Sequence, residues 1–156
     1  MIKRKKPSIP FVGLHAHSVA GSPFDGLGYP QEHMDFAFHN GNDALALTDH
    51  GNMNGLAYQV LHAKKMRADG KDFKPIFGVE AYFIPSLSDW KEEYERIKAD
   101  KKNKKHIDVE GAKTIIEDES ASKKNTKNIL NDRSHLILLA QNQEGLNNIF
   151  SLTSKS

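Results

Sequence analysis

Residues Asp43-Ala44-Leu45-Ala46-Leu47-Thr48-Asp49-His50-Gly51 set a short apolar run directly before an aspartate, a histidine and a glycine. Strands buried on both faces read as continuous apolar runs rather than as alternations, so this run predicts a buried strand. A carboxylate and an imidazole at a strand's C-terminal end, before a glycine that relaxes the backbone, stand where α/β barrels collect catalytic and metal-binding groups. Turn capping by Asp49 with His50 left exposed is the structural alternative.

The same pattern recurs on both sides. Upstream, Phe11-Val12-Gly13-Leu14 predicts a strand that ends at His15-Ala16-His17. Downstream, Pro75 to Ile84 (P-I-F-G-V-E-A-Y-F-I) predicts a third strand and His135 to Ala140 (H-L-I-L-L-A) a fourth. Between the first two strands, Pro30 can open a helix and Gly41 close it, with Met34, Phe36, Ala37 and Phe38 supplying apolar surface. Between the second and third, Asn54 can cap a helix carrying Leu56, Val60, Leu61 and Met66 that ends near Gly70. Asn142 or Gln143 begins a last helix with Leu146, Ile149, Phe150 and Leu152. Strand and helix therefore alternate, which predicts a parallel sheet or barrel with helices outside; a small open α/β domain is the alternative.

Composition restricts the chemistry. The chain has 156 residues, enough for one domain with a sizeable core, and it has eight histidines and no cysteine. Disulfide scaffolds, thiolate nucleophiles and cysteine-ligated zinc or iron–sulfur sites are excluded, and any metal must be held by His, Asp or Glu. The basic start M-I-K-R-K-K-P-S-I-P is followed by no apolar run long enough for a signal peptide or membrane span, so a soluble, cytoplasmic protein is expected, with residues 1–10 as a basic tail. The net charge of +2 is unevenly spread: residues 91–133 hold twelve basic and ten acidic side chains. A helix over Trp90 to Asp100 and a solvated insertion over Lys101 to Lys127 are expected there.

Seven residues could carry chemistry. In an extended segment residues two apart face one side, so His15 and His17 could reach one metal, although an H-x-H also arises by chance. Asp49 and His50 stand at the equivalent end of the next strand. Glu80 lies inside an apolar run, where a carboxylate is costly to bury without a partner or cation; a solvent-facing edge position is its alternative. Asp25, in S-P-F-D-G, reads equally as a ligand or as an ordinary D-G turn. His135 precedes its strand, the wrong end for a simple barrel site unless the strand bends. His33, His39, His62 and His106 read as surface or packing residues. The set His15, His17, Asp25, Asp49, His50, Glu80 and His135 suits zinc, manganese or iron, and has more ligands than one ion needs. Two or three metals close together would support phosphoester hydrolysis. No Walker-type loop, G-x-S-x-G or dinucleotide fingerprint is present.

The ordered motifs G-L-H-A-H-S, D-G, L-T-D-H-G, G-V-E-A-Y and S-H-L-I-L-L-A-Q-N-Q-E-G-L-N-N-I resemble the polymerase and histidinol phosphatase (PHP) domain. More narrowly, they resemble the N-terminal PHP domain of bacterial-type DNA polymerase III alpha subunits. The resemblance spans Phe11 to Pro85 and Ser134 to Ser156. It implies an α/β fold, the N-terminal part of a distorted (βα)7 barrel with about four βα units, in which residues 11–156 form a partial domain with a charged helical insertion at about 88–132. It also implies a site for up to three divalent ions, zinc or manganese. His15 and His17 would ligate one ion and Asp25 and His50 a second, Glu80 would bridge, and His135 would help hold the third. Asp49 would act with Glu80 in catalysis, as a ligand or a partner of one.

In family members that keep these ligands, the domain is associated with metal-dependent 3′ to 5′ exonuclease proofreading; in others it is a structural part of the polymerase. The resemblance therefore implies a piece of a DNA-directed DNA polymerase working with DNA, the remainder of the polymerase chain or a complementary C-terminal fragment, and other replisome subunits. The family's later ligands, including a D-x-H motif, are absent, so the isolated chain is expected to be inactive, as a split or intein-interrupted product would be. A non-catalytic scaffold domain and a PHP-family phosphatase of small molecules are the alternatives. A metal-dependent amidohydrolase, which also uses H-x-H, is disfavoured by T-D-H-G and G-V-E.

Overall fold

The computed structural model describes residues 9, 11–107 and 133–155. The expected basic tail, apart from Ile9, and residues 108–132 of the charged insertion lie outside the described residues. The chain divides into two compact units, one of residues up to Ala81 together with those from His135, the other Tyr82–Ser134.

The first unit holds most of the regular structure: α1 (Pro30–His39), β1 (Ala44–Leu47), α2 (Leu56–Ala68), most of β2 (Lys74–Phe83), most of β3 (Ser134–Leu139) and α4 (Gln143–Lys155). Pro30 opens α1 as expected, and the Glu32 carboxylate accepts the Tyr29 N–H at 2.6 Å, which satisfies a donor the helix start leaves free. The Asn54 cap expected for α2 is not formed: Gly55 takes the position and makes no side-chain cap. Met34, Ala37, Leu45, Leu47, Met66 and Phe73 form the core between sheet and helices, with Ala16, Phe38 and Ala63 packed against it. On α1 and α2 two predicted apolar positions face out, Phe36 and Leu61, as Phe150 and Leu152 do on α4, while the polar Gln59 is buried at 2 % exposure. Gln59 is tolerated there because its Nε2 donates to the Ile76 carbonyl at 3.1 Å, tying α2 to β2. Met66→Ala is expected to cost about 2–5 kcal/mol, against less than about 0.5 kcal/mol for Phe36→Ala, both measured by urea denaturation.

The sheet order is β1-β2-β3. β1 and β2 pair in parallel from Ala44↔Lys74 to Leu47↔Phe77, and the same register continues to the isolated bridge His50↔Glu80. The expected strand at Phe11–Leu14 is reduced to the bridge Gly13↔Leu45. The Ala46 and Thr48 N–H groups, two residues apart, bond the carbonyls of Gly13 and Ala16, three apart, so the ladder slips and cannot continue.

β3 departs from the expected parallel arrangement. Ala140 N–H bonds the Phe77 carbonyl at 2.8 Å, a methyl on Gly78 would meet Leu138 O, and His135 reaches Glu80. Partner numbers fall along β3 as they rise along β2, so the two strands are antiparallel. A continuous apolar run carries no direction, so the parallel expectation for β3 rested only on the alternation of strands and helices. The antiparallel course places the start of β3 beside the C-terminal half of β2, and His135 with it.

Of the second unit, the described regular element is α3 (Leu87–Ile107), which begins earlier and ends later than the predicted Trp90–Asp100. Trp90 and Tyr94, one turn apart, stack at 5.4 Å between centroids. Among the described residues no helix is long and apolar enough to cross a membrane.

Candidate metal centre

Five pieces of chain deliver the site: the segment before β1, the loop that carries Asp25, the extension of β1, β2 with Glu80, and β3. The slipped segment beside β1 brings His15 and His17 to the same side, with ring centroids 4.6 Å apart. The extension of β1 delivers His50 beside Glu80 through the in-register bridge, fixed by Glu80 N–H to the Asp49 carbonyl at 3.0 Å and Gly51 N–H to the Glu80 carbonyl at 2.8 Å. Gly51 has φ +65°, a turn conformation that a side chain would disfavour. β3 supplies His135 from the opposite strand direction.

Glu80 is the hub and is 1 % exposed. Its Oε2 lies 2.7 Å from His17 Nε2, 3.0 Å from His50 Nδ1 and 3.8 Å from His15 Nε2, while Oε1 contacts His135 Nδ1. Asp25 Oδ2 lies 3.1 Å from His17 Nδ1 and 2.5 Å from His50 Nε2. The hydrogen bond with His50 holds the Asp25 carboxyl below the usual carboxylate range, against the opposing effect of desolvation and with the help of the neighbouring His17 ring. His15 is oriented from below by Thr48 Oγ1, 2.7 Å from its Nδ1.

His17 and His50 therefore each span the two carboxylates, with one nitrogen toward Asp25 and the other toward Glu80. A neutral imidazole donates from one nitrogen only, so each neutral ring would set a lone pair against a carboxylate oxygen. Cations standing between these groups would accept the lone pairs of both partners. Donor atoms within 4.8 Å of one another form three sets: His15, His17 and Glu80; His17, Asp25 and His50; His50, Glu80 and His135. These nitrogen and oxygen donors suit zinc or manganese. All six predicted metal-ligating residues are thus brought together.

Asp49, expected to act with Glu80 as a ligand or the partner of one, belongs to none of the three donor sets. Thr48 and His50 turn toward the centre, and strand alternation turns the residue between them the other way. Asp49 is 3 % exposed, and both of its oxygens are occupied: Oδ1 by the Ser18 N–H at 2.6 Å and Ser22 Oγ at 3.1 Å, Oδ2 by Ser18 Oγ at 2.9 Å. The sequence reading missed Ser18 and Ser22; their signal is two small polar residues in the Gly-containing loop between His17 and Asp25. His33, His39 and His62 lie on α1 and α2 and belong to none of the three sets. His62 instead faces Asp35 at 3.1 Å.

The PHP domain family model matches residues 13–156. The DNA polymerase III subunit alpha of Treponema pallidum is 32 % identical over 146 residues, which cover 94 % of this chain and 9 % of that protein. The DNA polymerase III subunit alpha of Saccharopolyspora erythraea is 31 % identical over 150 residues, 96 % of this chain and 11 % of that protein. The PolC-type DNA polymerase III of Thermotoga maritima is 38 % identical over 82 residues, 53 % of this chain and 6 % of that protein. The chain thus spans about a tenth or less of these relatives' length.

Proposed function

Because the chain belongs to the PHP domain family, we propose that it is the N-terminal PHP region of a DNA-directed DNA polymerase of the polymerase III alpha type and carries a phosphoesterase centre that removes 3′-terminal nucleotides. In this reading residues 11–156 are part of one PHP domain, about 88–132 are a charged insertion, and residues 1–10 are a basic tail. The rest of the polymerase polypeptide, the DNA and other replisome subunits are its partners, in the cytoplasm.

The observation that carries the reading is the double span of His17 and His50 between Asp25 and Glu80. Divalent ions, zinc or manganese, held by His15, His17, Asp25, His50, Glu80 and His135 would supply positive charge for a phosphoester's oxygens and a water acidic enough to attack near neutral pH. The protein's own contribution is placement. Glu80 forms the buried floor and fixes four imidazoles around it. His15, Asp25 and His135 form an exposed rim, with side chains 46 %, 48 % and 54 % exposed, where a phosphate can approach.

The test is release of mononucleotides from a 5′-labelled DNA primer by the polymerase polypeptide that carries this chain, with nucleotide incorporation measured in parallel. Asp25→Asn is expected to lower release by about 100-fold or more, since a ligand's loss should exceed the effect of losing an outer partner, while incorporation continues. Unchanged release would remove the exonuclease reading, and equal loss of both activities would favour a scaffold role.

A further inference from the structure

The cluster of Ser18, Ser22, Asp49 and Asn52 lies behind the metal centre and shares no residue with the three donor sets. Ser18, Ser22 and Asp49 are 0 %, 3 % and 3 % exposed. A buried carboxylate is costly unless its hydrogen-bonding capacity is met, and Asp49 meets it with three neutral donors from one loop. The loop is held from its other side by Asn52, whose Nδ2 donates to the Gly21 carbonyl at 2.8 Å and to the His50 carbonyl at 2.8 Å.

The connections from this cluster lead to three members of the centre. Ser18 follows His17 in sequence and gives Asp49 its backbone N–H. The Ser22 hydroxyl donates to Asp49 and accepts the His50 N–H at 3.1 Å. The Ser22 carbonyl accepts the Asp25 N–H at 3.3 Å and the Gly26 N–H at 2.6 Å. His17, Asp25 and His50, one of the three donor sets, thus each sit one bond or one residue from the same clasp. Two glycines give the clasp its closeness. A methyl on Gly21 would lie 2.4 Å from Asp49 Oδ2, and one on Gly55 would lie 2.9 Å from both Asp49 Oδ2 and Ser18 Oγ.

We propose that Asp49, acting through Ser18 and Ser22, is the positioning residue that holds the 18–26 loop against the 49–52 turn and so sets the His17–Asp25–His50 group for cation binding. Asp49 belongs to none of the three donor sets and acts only through the loop it holds. The inference rests on the metal-site reading for its consequence, and on the hydrogen bonds alone for its mechanism. An asparagine keeps an oxygen for the Ser18 N–H and Ser22 hydroxyl and offers an N–H to Ser18 Oγ, so Asp49→Asn should preserve what Asp49→Ala destroys.

The test titrates the chain with cobalt(II), read by its visible absorption, and follows amide hydrogen exchange of residues 17–26 and 49–52. Asp49→Ala is expected to weaken cobalt binding by about 10- to 100-fold and to speed exchange at Ser18 and Asp25, while Asp49→Asn stays within about threefold of wild type. A folded Asp49→Ala with unchanged affinity and exchange overturns the proposal, and so does an Asp49→Asn that is as damaging as the alanine. If Asp49→Ala does not fold, Ser22→Ala replaces it: faster exchange at Asp25 and His50 with weaker cobalt binding supports the clasp, and no change overturns it. If the wild type takes up no cobalt, the metal reading fails separately, and exchange alone decides: acceleration in Asp49→Ala supports the clasp and its absence overturns it.

Discussion

Glu80→Gln is expected to lower affinity for zinc or manganese by more than about 100-fold, measured by calorimetric titration, while leaving the melting temperature of the metal-free chain close to wild type. Loss of outer-sphere partners costs about 10- to 100-fold, and Glu80 is the one carboxylate shared by two of the three donor sets, so its loss should exceed that range. Four imidazoles converge on its two oxygens. Glutamine fills the same volume and keeps one oxygen, so packing around β2 is preserved. Its amide, however, offers N–H groups where the centre needs a second acceptor. A large drop in melting temperature with little change in affinity would make Glu80 a structural residue and the site around it incidental.

Gly78→Ala is expected to damage both fold and centre. A methyl there would lie 2.5 Å from the Leu138 carbonyl oxygen, 2.7 Å from Leu139 Cδ2 and 2.9 Å from Thr48 Cγ2. The first of these is backbone and cannot swing aside, so β3 must move off β2. Overpacking of this kind costs about 1–3 kcal/mol. The same movement separates His135 from Glu80 and disturbs the threonine that orients His15. Gly145→Ala, in the first turn of α4, is the matched comparison, because the neighbours nearest its added methyl lie at 3.6 Å, ordinary van der Waals distance. Urea denaturation should therefore show Gly78→Ala destabilised and Gly145→Ala unchanged. Equal midpoints for the two would contradict the close packing of β2 on β3.

The features legible in the sequence are those that a local pattern encodes. The run ending in Thr48-Asp49-His50-Gly51 marks β1 and the turn after it, because a buried strand must be apolar and its end must be polar. His15, His17, Asp25, His50, Glu80 and His135 could be gathered from their positions beside such runs, and the structure does place them together. The direction of β3 was not legible: H-L-I-L-L-A satisfies either orientation, and only its pairing with β2 decides. The role of Asp49 was hidden by the same alternation that made its neighbour readable, since one step along a strand reverses the facing side. The exchange of Leu61 for Gln59 on the inner face of α2 depends on a carbonyl of β2 that the helix sequence does not contain.

The central claim is that His17 and His50 bridge Asp25 and Glu80 because cations belong among them. The most direct measurement is the metal content of the purified, dialysed chain by inductively coupled plasma mass spectrometry, with Glu80→Ala beside it. At least one equivalent of zinc or manganese in the wild type, absent from the variant, is the predicted result. No metal in either protein, after incubation with both ions in excess, would contradict it.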